Sequence, residues 1–229
     1  MHKIKENIEC YSSPSQRDLL IRIIDNETIK NNFFLAGGTA LSVFYLHHRT
    51  SIDLDLFTIK KVPLDEIYLW ITRTWPNESQ RINQNEYILQ MIIKDIKVDI
   101  VHDPLSFDEP RKKYYFDENK SVTIDSIRNI AAGKFTTLVS RREVKDFVDF
   151  FFLHKKIENM NFEIVYQDAQ KKEGMFDDSP TVAYQLENNF SFIKQNPYAF
   201  PEMKTDFDLD EFYTFYEMLI NKIYHRKSF

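Results

Sequence analysis

Phe34-Leu35-Ala36-Gly37-Gly38-Thr39-Ala40-Leu41, followed by Arg49-Thr50-Ser51-Ile52-Asp53-Leu54-Asp55-Leu56-Phe57, decides how this chain is read. An apolar run, Phe33 to Ala36, meets a glycine pair and then a second apolar stretch, Ala40 to Leu46. That order predicts a strand, a tight turn and the start of a helix. The chain has only four glycines, so two side by side at this junction carry information. Adjacent glycines let the backbone come close to a polyphosphate, and the N-terminus of the next helix offers amide hydrogens to phosphate oxygens. Thr39 places a hydroxyl donor at the same point.

Apolar residues alternate from Ser51 to Thr58. A strand there sends Asp53 and Asp55 from one face and turns Ile52, Leu54 and Leu56 to the core. Two carboxylates held so close repel each other unless a cation lies between them, and Mg²⁺ (or Mn²⁺) takes oxygen ligands from one or two carboxylates plus substrate phosphates. Either feature alone has an ordinary explanation, a turn or a solvated strand face. Together, in this order, they point to a metal-nucleotide site. Arg49 precedes the strand, where it either positions Asp53 or meets a phosphate.

These two stretches resemble the signature of the AbiEii/AbiGii-type nucleotidyltransferase toxins, a branch of the DNA polymerase β-like superfamily. A second block, Ile130-Ala131-Ala132-Gly133-Lys134-Phe135 running through Arg141-Arg142 to Lys145-Asp146-Phe147-Val148-Asp149, is similar to that family's later helical motif. The resemblance implies an α+β (α/β) fold, a small mixed sheet flanked by helices and followed by a mainly helical C-terminal domain. It also implies transfer of a nucleoside monophosphate from an NTP to an acceptor hydroxyl. The acceptors expected are RNA, tRNA in some relatives, or protein, and a separately encoded antitoxin is an expected partner. Carried onto this sequence, Gly37, Gly38 and Thr39 would hold the triphosphate and Asp53 and Asp55 the metals. Lys134 and Asp146 would complete the site from the helical side, with Arg141 beside the nucleotide. The superfamily commonly takes a third carboxylate from a neighbouring strand, and Asp99 in Lys97-Val98-Asp99-Ile100 stands where it is expected, as a metal ligand or a base. Its ordinary alternative is an edge-strand aspartate facing water. A small hydroxylated acceptor is a second enzymatic reading, and a catalytically silent nucleotide-binding module a third, against which the intact Asp53 and Asp55 argue.

Composition bounds the rest. A chain of 229 residues with 43% hydrophobic residues, 20 Phe and 12 Tyr has enough apolar side chain for a core, and such a composition argues against disorder. The net charge of −5 does not suit a protein that coats nucleic acid by bulk charge. With Cys10 as the single cysteine, an intramolecular disulfide or cysteine-based metal cluster is excluded. No secretory leader and no apolar run of roughly 20 residues is found, so a cytoplasmic protein without membrane contact is expected. The Walker-type loop and the Gly-x-Ser-x-Gly elbow are missing as well.

Along the chain, Ser15 to Ile29 predicts one amphipathic helix and Pro63 to Trp75 a second. Glu86 to Ile93 and Ile96 to Val101 around Lys94-Asp95 predict a hairpin. Residues 103–120 read as a connection, which divides the chain into a nucleotidyltransferase-fold domain, 1–110, and a helical domain, 111–229. Ile127 to Leu153, taken as one helix, would align Lys134, Arg141 and Lys145 in a stripe with Asp146 and Asp149 on its flank. Asp149 is expected to be structural. Further helices are expected from Phe162, over Val182 to Phe192 and over Leu209 to Tyr224.

Overall fold

The alternating segment from position 54 lies in the middle of a seven-stranded mixed sheet. The structure, a computed structural model, describes residues 4–158 and 160–226. Its strands are β1 (Phe34–Leu35), β2 (Leu54–Thr58), β3 (Ser79–Gln84), β4 (Ile88–Ile93), β5 (Ile96–His102), β6 (Lys112–Tyr115) and β7 (Ser121–Ile124). They lie in the order β3-β4-β5-β2-β1-β7-β6. Strand β2 runs parallel to β5 and β1 parallel to β7, while the other neighbours are antiparallel.

One sheet face is closed to water. Leu54, Leu56, Leu89, Met91, Ile93, Val98 and Ile100 are all fully buried, as the period of two along a strand requires. Helix α4 (Leu64–Thr74) packs on β4 and buries Ile67 and Ile71. The predicted β4–β5 hairpin turns through Lys94 and Asp95, both at positive φ, 51° and 62°. That is the backbone of a two-residue turn whose twist matches its strands.

Two local expectations need correction. The helix expected over 15–29 is two helices, α1 (Pro14–Ile23) and α2 (Glu27–Asn32). The first ends with Ile24 as its cap, and Asn26 starts the second, its side chain accepting the amide of Ile29. Ile52 was expected in the core and is 59% exposed. The ladder begins only at Leu54, so the strand's alternation does not reach it. Between β1 and β2, helix α3 opens at Gly37–Thr39 and continues as a wider π coil, Ala40–Leu46.

The chain divides into two compact units, Met1–Ile127 and Arg128–Phe229. The division expected after residue 110 falls ahead of β6 and β7, which pair within the sheet. The second unit holds α5 (Ile127–Ser140), α6 (Val144–Lys156), α7 (Phe162–Lys172), α8 (Ser179–Lys194) and α9 (Leu209–Tyr224). Here the single helix expected over 127–153 stops at Ser140 and restarts at Val144. Asn189 of α8 takes the carbonyls of Leu138 and Val139 at 2.9 Å each, supplying the partners that a helix end lacks. Arg142 in the break donates to the same Asn189. The core of this unit is aromatic, with Tyr216 meeting Phe147, Phe190 and Phe212 at ring separations near 5 Å. Among the described residues no helix is long and apolar enough to cross a membrane.

Candidate active site

The glycine pair is required first by the protein's own side chains. Gly37 adopts φ 61°, in the left-handed region, and a Cβ there would lie 2.0 Å from Asp55 Oδ2. The Asp55 carboxylate therefore lies against the backbone of the turn, where only glycine leaves room. A Cβ on Gly38 would lie 2.6 Å from an Arg49 guanidinium nitrogen. Arg49 itself is buried and donates to the carbonyl of Thr50 at 2.8 Å.

Thr39 is also turned inward. Its hydroxyl donates to the backbone carbonyl of Asp53 and meets Ser51 Oγ at 2.9 Å. The hydroxyl expected at a phosphate instead ties the start of α3 to the residue before β2. Gln16 secures the same carbonyl from α1, donating from Nε2 at 3.1 Å while its Oε1 accepts the amide of Ser12. Ala36, which caps α3, makes no side-chain bond to the helix start.

On β2 and β5 the carboxylates converge. Asp55 and Asp99 are register partners on parallel strands, so their side chains leave the same sheet face. Strand β5 lies between β4 and β2, which removes the edge-strand alternative for Asp99. Both oxygens of Asp99 are held: Gln90 Nε2 donates to Oδ1 at 3.2 Å and Lys97 Nζ to Oδ2 at 2.8 Å. Partial burial pushes the Lys97 ammonium down. The pull of Asp99, followed by that of Asp53 and Asp55, more than offsets this and holds it above the ordinary lysine value. All three carboxylates thus act on one ammonium.

In the second unit, the break after α5 folds α6 back toward it. Lys134 Nζ lies 2.7 Å from Asp146 Oδ1 and 2.6 Å from Asp149 Oδ2, and Arg141 Nε lies 2.6 Å from Asp146 Oδ2. A straight helix would separate Lys134 from Asp146 by 12 residues, roughly 18 Å of rise, so the stripe expected for one helix is replaced by a cluster. Both carboxylates are fully buried and Lys134 nearly so. Burial pushes the Asp146 carboxyl up, but Lys134 and Arg141 outweigh it and hold it below the usual carboxylate range. Tyr216 donates to the carbonyl of Phe147 at 2.6 Å, and burial together with the charges of Asp149 and Asp146 pushes its phenol well up.

The first unit thus brings together Gly37, Gly38, Thr39, Arg49, Asp53, Asp55 and Asp99. The second brings together Lys134, Arg141 and Asp146. Sequence reasoning passed over Gln16, Gln90 and Lys97 as site residues, and for Asp149 its ordinary reading was an i,i+4 pair with Lys145 rather than the Lys134 found here. Lys97 had a usable signal, since it lies two residues from Asp99 and so shares its strand face. Gln90 had one as well, since it faces Asp99 across the β4–β5 hairpin, whereas Gln16 had none, because its partner is reached only through the fold. Among the described residues, no three His, Cys, Asp or Glu side chains form a ready metal-holding group. A Mg²⁺ that shares its ligands with nucleotide phosphates needs one or two carboxylates, and the hard oxygen donors of Asp53 and Asp55 fit that mode.

The family described as "Nucleotidyl transferase AbiEii toxin, Type IV TA system" matches residues 18–217. An uncharacterized protein of Aquifex aeolicus is 30% identical over 145 residues, which is 62% of this chain and 66% of that protein. The match thus spans slightly less than two thirds of that relative. In fold, the chain is similar to JHP933 from Helicobacter pylori, with a TM-score of 0.52 and 18% identity over 96% of this chain and 94% of that one. It is similar also to MenT4, a nucleotidyltransferase toxin of Mycobacterium tuberculosis, with a TM-score of 0.50 and 12% identity over 92% and 90% of the two chains.

Proposed function

The chain belongs to the nucleotidyl transferase AbiEii toxin family of type IV toxin-antitoxin systems, and from that premise we propose that it moves a nucleoside monophosphate from an NTP to a hydroxyl of RNA, with tRNA as the leading acceptor, in the cytoplasm. The observation that carries this reading is the placement of Asp55 beside Asp99 on one sheet face, directly against the glycine turn.

In this mechanism the uncapped amides at the start of α3, those of Gly38 and Thr39, receive triphosphate oxygens. Asp53 and Asp55 would hold the metal, and Arg49 under the turn keeps the amides in place. A bound Mg²⁺ or Mn²⁺ would supply charge stabilisation at the phosphoryl group under attack and at the leaving oxygen. The acceptor oxygen bonds to the α-phosphorus, the α–β phosphoanhydride breaks, pyrophosphate leaves, and the hydroxyl proton passes to Asp99. Lys134, Arg141 and Asp146 have the roles their motif implies, Lys134 and Arg141 toward the nucleotide and Asp146 in orienting Lys134, which its 2.7 Å ion pair supports. The toxin assignment implies an antitoxin encoded separately.

Incubation with each α-³²P-labelled NTP, Mg²⁺ and total RNA tests the reading, alongside Asp53→Ala and Asp55→Ala. Label should enter RNA from at least one NTP, and each variant should lose about 10³-fold or more of the rate. Label entering protein or only small hydroxylated compounds would refute the RNA acceptor. Absence of transfer from every NTP to any of these acceptors would refute the transferase itself.

A further inference from the structure

Strand β4, Ile88-Leu89-Gln90-Met91-Ile92-Ile93, has a single polar residue, and the fold places it opposite Asp99. Leu89, Met91 and Ile93 are fully buried on the core side, while Ile88, Gln90 and Ile92 lie on the partly exposed face that carries Asp99. The register continues on both sides: Asn83 of β3 faces Gln90, Gln90 faces Asp99, and Asp99 faces Asp55. One rung of the sheet is thus polar across four strands. Direct cross-strand neighbours lie about 4.5–5.5 Å apart at Cβ, within reach of a side-chain bond. Gln90 Nε2 donates to Asp99 Oδ1 at 3.2 Å, and Gln90 Oε1 accepts from Asn83 Nδ2 at 3.5 Å. An ionised carboxylate only accepts, so the Gln90 amide serves Asp99 in one orientation, with its carbonyl turned to β3.

We propose that Gln90 is a positioning residue, which sets the rotation of the Asp99 carboxylate toward the acceptor hydroxyl. This deepens the proposed reaction and rests on its assignment of Asp99 to the acceptor side. Lys97 also bonds to Asp99, at 2.8 Å, but from the same strand and from a side chain that is 39% exposed. Gln90 comes from the neighbouring strand, and backbone pairing on both sides of β4 fixes where its amide stands. A carboxylate held at one oxygen by such a group does not turn freely about its Cβ–Cγ bond, and an apolar residue in this place would leave Oδ1 without that bond. Misplacing a reacting group by a small distance lowers the rate by a large factor. Because Gln90 acts through Asp99, it should govern turnover rather than NTP affinity.

A double-mutant cycle on the full chain tests this, with transfer from labelled NTP to RNA as the readout. The proteins compared are the unsubstituted chain, Gln90→Met, Asp99→Asn and the double variant, each checked for folding by circular dichroism. Methionine is close to glutamine in length and lacks the donor. Gln90→Met should lower kcat roughly tenfold to a hundredfold, with little change in KM for the NTP. In the Asp99→Asn background the same substitution should change the rate by less than about twofold, because the group it acts through is already gone. Equal losses in both backgrounds would show that Gln90 acts through strand packing, and an unchanged kcat or a loss confined to KM would show that Asp99 needs no support from it. Each of these overturns the proposal while the reaction stands. Full transfer by Asp99→Asn would instead overturn the role given to Asp99, and the proposal with it.

Discussion

The two charged groups of this protein solve opposite problems. On the sheet face of the first unit, one partly exposed lysine is paired with Asp99 and feels the charges of Asp53 and Asp55. In the second unit, two fully buried carboxylates share an almost buried lysine, and one of them also takes an arginine. The first group lies at a partly exposed surface, which is a condition for recruiting a cation. The second is closed upon itself, and its charges are matched between two helices that a break in the chain has folded together. Motif residues therefore differ in their surroundings: Asp55 lies against the glycine turn, whereas Lys134 has two of its donors engaged by buried carboxylates.

Removing the lysine from each group should separate them most sharply. Lys134→Ala removes the lysine that two buried carboxylates share, and breaking a buried pair in this way costs roughly 3–5 kcal/mol. Lys97→Ala should cost no more than about 1 kcal/mol, because its ion pair is partly exposed. Urea unfolding of both variants checks the contrast. Similar losses at the two positions would mean that the second cluster is less closed than its burial indicates.

Acid should act next, and through the second unit. Asp146 is held below its ordinary value of 3.8, so its ionised form stabilises the folded chain fully above that value. The contribution is lost as pH falls from there through the depressed value. Urea unfolding at a series of pH values, compared with Asp146→Asn, should give a stability gap that is constant from pH 7 to near 4 and narrows below it. A gap that instead closes well above pH 4 would contradict the depressed value.

The same contrast explains what the sequence disclosed. Gly37, Gly38, Asp53 and Asp55 are legible because strand, turn and helix follow one another within a short stretch, and local rules govern them. The β4–β5 hairpin is legible for the same reason. Asp99 needed the family resemblance, since its register with Asp55 depends on a parallel pairing across many residues. The break at 141–143 was hidden: no proline or glycine marks it, and its cause, Asn189, comes from a helix some 50 residues later. The inward turn of Thr39 was hidden too, because a hydroxyl at a helix start has more than one acceptor within reach and only the packing chooses between them.

Gly37→Ala should have an intermediate effect on the fold and a larger one on the reaction. An alanine at φ 61° costs about 1–2 kcal/mol, and its Cβ would displace the Asp55 carboxylate from its present contact with the turn. Stability should fall by that amount, and nucleotidyl transfer should fall by at least about tenfold. A stability loss without any loss of transfer would show that the position of Asp55 against the turn is not used.

Gly133→Ala is the smallest of these changes and the one with the opposite sign. Gly133 lies inside α5, next to Lys134 in the second motif, and a Cβ there meets nothing within 4 Å. Alanine is favoured over glycine in a helix interior by roughly 0.8–1.0 kcal/mol, so the variant should be more stable to urea by about that amount. The glycine of the first motif is forced by a turn and a carboxylate. For Gly133 the fold supplies no such demand, and any requirement for glycine would have to come from outside the folded chain. Measuring transfer alongside stability decides it. A protein that gains stability and keeps its rate makes Gly133 dispensable. One that gains stability and loses rate assigns the open space beside it to the nucleotide or the acceptor.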